Sequence, residues 1–126
     1  MKTQLLVALT VGSLLLTSQP GLAAEQDTPA TELKELITKV QAKLKDGKRS
    51  EADLTAELKE FDALLAKYKS DKSDDVAQIL YMKASLYGQV LRNETMADEL
   101  MAQLKSEFPD SRQVANLKKQ EEAKRI

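Results

Sequence analysis

The stretch DDVAQILYMKASLYGQVLRNETMADELMAQLKSEFPDSR, residues 74–112, indicates two amphipathic helices folded back on each other. Apolar residues recur at helical spacing in its first half, where the small residues Ala84 and Gly88 allow a neighbouring helix to come close. A turn is expected at residues 92–94. The second half repeats the apolar pattern and ends at Pro109, because the residue before proline is pushed out of helical geometry. The stretch therefore predicts a helical hairpin.

A second helical hairpin is predicted on the N-terminal side of the first. Thr28 offers a hydroxyl cap and Pro29 suits the first helical position, so a helix is predicted over residues 30–45. The next helix is predicted to start at Ser50, which with Asp53 forms a shorter-armed capping box. One apolar face about four turns long follows, formed by Leu54, Leu58, Phe61, Leu65 and Tyr68.

The remaining helices are placed by their capping residues. The third helix is predicted to begin after a cap at Ser73 or Asp74 and to continue through Leu91. A last helix is predicted after the proline turn, capped by Asp110 or Ser111. The sequence has few glycines and prolines and many helix-forming side chains. This composition favours helices, so strands are not expected. The expected fold is all-α, with four to five helices in antiparallel hairpins.

The first residues have the pattern of a secretory signal peptide, predicted over residues 1–24. Lys2 supplies the positive charge and residues 5–16 the apolar stretch, with small residues at a cleavage site after Ala23 or Ala24. The apolar stretch is shorter than the roughly 20 residues that span a bilayer. The pattern predicts an exported protein, periplasmic or extracellular, without stable membrane insertion after cleavage.

The remaining chain divides into three predicted parts. Residues 25–29 are a polar lead-in, and residues 30–117 form the helical hairpin domain. Residues 118–126 are a charged helical exit or linker with almost no apolar face. A helix that is polar all round either projects into solvent or leads to another part of a protein.

Composition excludes several classes of function. The 126 residues carry 19 basic and 20 acidic side chains, a net charge of -1, and the basic residues do not form one stripe, so no nucleic-acid partner is predicted. Without cysteine or histidine, thiol chemistry is excluded, and no metal site or cofactor is predicted. Adjacent acids on a helix point in different directions and make no acid/base pair, so no enzyme is predicted.

A polar stripe on the third helix is the candidate site for a partner. Its members are spaced by three, four and four residues, so they share one helix face beside the apolar one. Such a stripe is either wet surface or the rim of a groove for a protein or peptide. Tyr87 and Met101, by contrast, are expected in the core. The candidate partner-binding residues are Gln78, Tyr81, Ser85 and Gln89.

Several packing positions of the second hairpin match a known repeat pattern. Ala97 and Pro109 match the small residue and the closing proline of its second helix. Ala84 and Tyr87 match the small and Tyr positions of its first helix when the turn is one residue longer, and Leu80 stands where the pattern has Trp. The hairpin thus resembles a tetratricopeptide repeat, which implies stacked helical hairpins.

A wider resemblance covers most of the chain after the leader. The helices of residues 32–91, the segment FPDSR and the charged exit KKQEEAKRI are similar to the helical region that precedes the thioredoxin-like domain in exported TlpA-type thiol-disulfide oxidoreductases. Two functions are therefore expected. The first is an exported, non-catalytic helical interaction or spacer module. The alternative is an N-terminal accessory domain of such an oxidoreductase, whose catalytic domain is not in this chain.

Overall fold

The computed structural model describes residues 28–125 and shows an all-α fold, with no strand in that range. This confirms the predicted fold class. The predicted signal peptide and most of the polar lead-in lie outside the described residues. The elements are α1 (Pro29–Lys45), α2 (Thr55–Lys67), α3 (Asp74–Ser85), a π-helical turn (Leu86–Val90), α4 (Glu94–Glu107) and α5 (Arg112–Arg125).

Side-chain oxygens cap four of these helices. Each accepts a hydrogen bond from the backbone N–H three residues further on, which satisfies a donor that has no partner within the helix. Pro29 occupies the first position of α1, as predicted. Ser73, not Asp74, caps α3, and Ser111, not Asp110, caps α5. The capping residues are Thr28, Ser73, Asn93 and Ser111.

The prediction that the second helix starts at Ser50 is wrong, because α2 begins at Thr55. The predicted capping pair does form: the Asp53 N–H donates to Ser50 Oγ at 3.1 Å, and the Ser50 N–H donates to Asp53 Oδ2 at 3.4 Å. It closes a separate turn. The Thr55 hydroxyl donates to two carbonyl groups of that turn, at 3.0 and 3.1 Å.

The third helix is predicted through Leu91, and its backbone is helical to Val90, but the helix changes type and α3 itself is shorter. It ends at Ser85 and is followed by the π-helical turn, in which the Leu91 N–H donates to the Leu86 carbonyl, five residues back, at 3.0 Å. Gly88 lies against α4, where an added Cβ would be 3.3 Å from Ala97 Cβ. The wider turn keeps its apolar side chains in the core while its glycine touches α4.

α3 is the central helix of the fold. It packs against each of the other four helices, and α1 also packs against α2. Both α1 and α5 therefore have α3 as a neighbour. Tyr87 is buried, as predicted, and Met101 packs half-buried against the core. The side chains with 0% exposure come from α2, α3, α4 and the turn before α2: Leu54, Phe61, Ala77, Ile79, Leu80, Ala84 and Leu104.

Ion pairs join α1 and α2 near both ends of the hairpin. At one end Lys67 Nζ lies 2.8 Å from Glu32 Oε2, which also accepts a hydrogen bond from the Tyr68 hydroxyl. At the other end Lys43 Nζ lies 2.9 Å from Glu57 Oε1. These contacts hold α1 at one position along α2.

Glu32→Gln is expected to destabilise the fold in a pH-dependent way. Hydrogen bonds from Lys67 and then Tyr68 hold the pKa of Glu32 below its ordinary value of 4.5. A carboxylate with a lowered folded-state pKa adds stability above its unfolded-state pKa, and this is lost as pH falls through the folded-state pKa. Urea unfolding should show a loss of about 0.5–1 kcal/mol near pH 7 that shrinks as the pH is lowered below the ordinary pKa of a glutamate. A loss that stays the same as the pH is lowered would contradict this role.

Candidate functional site

A groove runs along the surface between α1 and α3. It consists of two adjoining hollows of about 400 and 280 Å³, both lined by Ile37, Gln41 and Met82. The first hollow reaches Ala30 and Asp75, near the start of each helix. The second reaches the π-helical turn. Because the starts of both helices line the same hollow, α1 and α3 run in the same direction. We call this surface the α1–α3 groove.

The groove has an apolar floor and polar edges. Its deepest side chains, including Phe61, belong to the core. Other apolar side chains are half-buried and so remain partly open to the groove: Ile37, Leu44, Met82 and Val90. Amide and hydroxyl groups stand beside them, and an unbranched Met side chain adapts readily to different occupants. The edge groups belong to Thr38, Gln41, Gln78, Ser85 and Gln89.

A second opening, the α3–α5 cleft, lies on the other side of α3. Its volume is about 350 Å³, and most of the residues that line it have polar or charged side chains. The Gln113 side-chain amide donates to Gln78 Oε1 at 2.7 Å and to the Asp74 carbonyl at 3.1 Å. Asp74 Oδ1 also accepts from the Arg112 N–H at 3.1 Å. α5 is therefore docked on α3 through a polar joint as well as through the buried side chain of Val114.

The four sequence-predicted partner residues divide between these two openings. Ser85 and Gln89 line the α1–α3 groove, and Tyr81 lines the α3–α5 cleft. Gln78 lines both, so it stands on the ridge that separates them. All four residues lie at the surface beside these openings, and their partner-binding role stays a prediction.

Sequence reasoning missed the contribution of α1. Gln41 lines both hollows, and it lies four residues after Ile37, on the same side of α1. That spacing was a usable signal for a shared helix face. It did not indicate that α3 would leave this face partly uncovered.

The charged end of α5 is exposed from residue 118 to residue 125. One ion pair joins it to the helices: Lys105 of α4 donates to Glu121, and this hydrogen bond lowers the pKa of Glu121. Along the described part of the chain, no group of three or more His, Cys, Asp or Glu could hold a metal ion. Nor does any helix there have the length and apolar character needed to cross a membrane.

The chain was compared with protein-family models, with curated proteins and with solved structures. No family model matches it. No curated protein and no solved structure shows significant similarity to it. Its function must therefore be inferred from the groove, the cleft and the sequence.

Proposed function

We propose that this chain is an exported, non-catalytic helical interaction module that holds a segment of another protein in the α1–α3 groove. The observation that carries the proposal is the row of half-buried apolar side chains between the two helices, centred on Ile37 and Met82. Apolar surface rimmed by polar groups is typical of sites that bind proteins. The export part of the proposal rests on the signal-peptide pattern of the sequence.

The dimensions of the groove suit a short chain segment. It extends along α1 from Ala30 to Leu44, a length of about 21 Å at the helical rise. This length takes a helix of about 14 residues, or about six residues of extended chain. Recognition of a helix in a groove relies on a few apolar anchors and a polar rim, which is the arrangement found here.

The packing of the helices supports a tetratricopeptide-like arrangement. Both α1 and α5 have α3 as a neighbour, and the matched small residues Ala84 and Ala97 are in the packed second hairpin. Helical repeats that stack in this way present an extended concave surface to their partners. The groove and the cleft together would form that surface.

The second candidate function is that of an accessory domain for a thioredoxin-like oxidoreductase. It is favoured by the exposed, charged end of α5, which has the character of a helix leading to another part of a protein. Sequencing the gene beyond codon 126 tests it. An in-frame Trp-Cys-x-x-Cys segment would support this function, and a stop codon followed by an unrelated gene would contradict it.

Met82→Glu is expected to abolish binding in the α1–α3 groove. It places a carboxylate where the two hollows meet, and burying that charge against an apolar partner is costly. To detect binding, Gln41 is replaced by a photoreactive phenylalanine and the chain is irradiated in an extract of exported proteins. We expect a discrete adduct that falls at least about tenfold with Met82→Glu.

Two controls make this experiment specific. The same photoreactive group at Lys59, an exposed position on α2, should give no such adduct. Lys59→Glu places a carboxylate away from the groove, with a larger change in net charge than Met82→Glu, and should leave the adduct at position 41 unchanged. An adduct that persists with Met82→Glu would contradict the proposed site.

A further inference from the structure

The openings beside α3 differ in charge from the protein as a whole. The sequence has a net charge of -1. The side chains that line the α1–α3 groove and the α3–α5 cleft include three cations, Lys34, Arg112 and Lys119, and a single acid, Asp75. All four are exposed. We call the three cations the basic rim.

Acidic side chains are concentrated on other faces of the fold. The hollow on the opposite side of α1 is lined by Glu32, Glu35 and Glu60 together with two lysines. Five lysines outside the basic rim pair with acids of a neighbouring helix: Lys39 with Glu60, Lys43 with Glu57, Lys67 with Glu32, Lys83 with Asp62, and Lys105 with Glu121. The lining of the groove and the cleft thus carries more cations than acids, although the whole chain carries slightly more acids.

The charges nearest to the basic rim reduce its field without cancelling it. Arg112 shares its charge with Asp74, whose Oδ2 lies 3.7 Å from the guanidinium. Asp75 lines the same hollow as Lys34. Lys119 lies about 1.7 helical turns further along α5 than Gln113 and lines the same cleft. Acidic groups on a bound segment would find a cation on each side of the ridge formed by Gln78.

The two hollows set the spacing of the side chains that could fill them. Judged by the residues that line them, the centres of the two hollows lie about 8 Å apart along α1 and about 12 Å apart along α3 and its π-helical turn, so about 10 Å apart on average. That distance is the rise between positions i and i+7 of a helix, a usual spacing for anchors of a helix bound in a groove. Each hollow is large enough for an aliphatic side chain.

We propose that the segment held in the α1–α3 groove is an acidic amphipathic helix of another protein. Two apolar anchors, seven residues apart, fill the hollows on either side of Ile37 and Met82. Carboxylates on its flanks face Lys34 on α1 and Lys119 on α5. This inference rests on the proposed function and adds the chemical class of the partner.

Two synthetic peptides of about 14 residues test the charge of the partner. Both carry leucine at positions i, i+3 and i+7, and the flanking positions are glutamate in one peptide and lysine in the other. Fluorescence anisotropy with the full chain should show about tenfold tighter binding of the glutamate peptide at low salt. The difference should nearly vanish at about 1 M salt, where charges are screened within about 3 Å.

Charge reversal on the rim provides the matched variants. Lys34→Glu combined with Lys119→Glu should invert the preference, so that the lysine peptide binds more tightly. Lys59→Glu combined with Lys69→Glu, which changes two exposed lysines of α2 and the loop after it, should leave the preference unchanged. Far-UV circular dichroism of each variant checks that the helices are retained.

The outcomes separate this inference from the proposed function. Equal or tighter binding of the lysine peptide by the unaltered chain would overturn the inference that the partner is acidic. If Met82→Glu then abolished binding of that peptide, the groove would remain the binding site. If neither peptide bound while the photoadduct at position 41 still formed, the inference of a helical partner would be overturned and the proposed function would not. Self-association that Met82→Glu abolishes would assign the groove to a second copy of the chain and overturn the inference.

Discussion

Phe61→Ala is expected to lower the free energy of unfolding by about 3–5 kcal/mol. Phe61 is among the fully buried side chains, with 0% exposure, and it forms part of the floor of the α1–α3 groove. Its removal loses the burial of the ring and leaves a cavity between α2 and the helices that cover it. Urea unfolding followed by far-UV circular dichroism measures the loss.

Two further variants serve as a milder substitution and as a control for this measurement. Phe61→Leu keeps most of the buried volume and should cost about 1–1.5 kcal/mol. Leu65→Ala removes a half-buried side chain from the same helix and should cost less than Phe61→Ala. A loss of under about 1 kcal/mol for Phe61→Ala would show that the ring does not support the core in the way described.

Lys43→Ala is expected to cost about 2–3 kcal/mol of stability. Lys43 Nζ donates to Glu57 Oε1 at 2.9 Å and to the Asp53 carbonyl at 3.0 Å. Only 7% of the Glu57 side chain is exposed, so the variant leaves a nearly buried carboxylate without this partner. The cost stays below that of a fully buried pair because 32% of the Lys43 side chain is exposed. Urea unfolding at neutral pH measures it.

The cause of that loss can be checked with a second substitution. Glu57→Gln removes the charge that Lys43→Ala would leave behind, so the double variant should be more stable than the sum of the two single losses predicts. Lys45→Ala, at an exposed position near the same end of α1, should change stability by under about 0.5 kcal/mol. Strict additivity of the two single losses would show that the pair is not coupled.

The sequence predicted the helices well where local chemistry decides the structure. Thr28 and Ser111 cap their helices because a hydroxyl at that position satisfies a free backbone donor, and this depends on nearby residues only. The start of α2 was predicted wrongly because the Ser50–Asp53 pair forms but closes a separate turn before the helix. The close approach of a neighbour at Gly88 was expected from its size, whereas the π-helical turn around it was not.

The candidate site was predicted only in part, for a related reason. Helical spacing placed Gln78, Tyr81, Ser85 and Gln89 on one stripe, and the structure divides them between the two openings beside α3. Spacing does not reveal which neighbouring helix covers each side of a stripe. The division of the four residues between groove and cleft follows from the docking of α1 and α5, in which Gln113 contacts Gln78 across two helices. Such contacts between distant residues are set by the whole fold.

The identity of the chain segment attached to a photoreactive group at position 41 is the most direct test of a binding groove between α1 and α3. After irradiation in an extract of exported proteins, mass spectrometry should locate the adduct in one short segment of a partner protein. Met82→Glu should remove that adduct, and the control position Lys59 should not produce it. Equal labelling from positions 41 and 59, unaffected by Met82→Glu, would contradict the groove as a binding site.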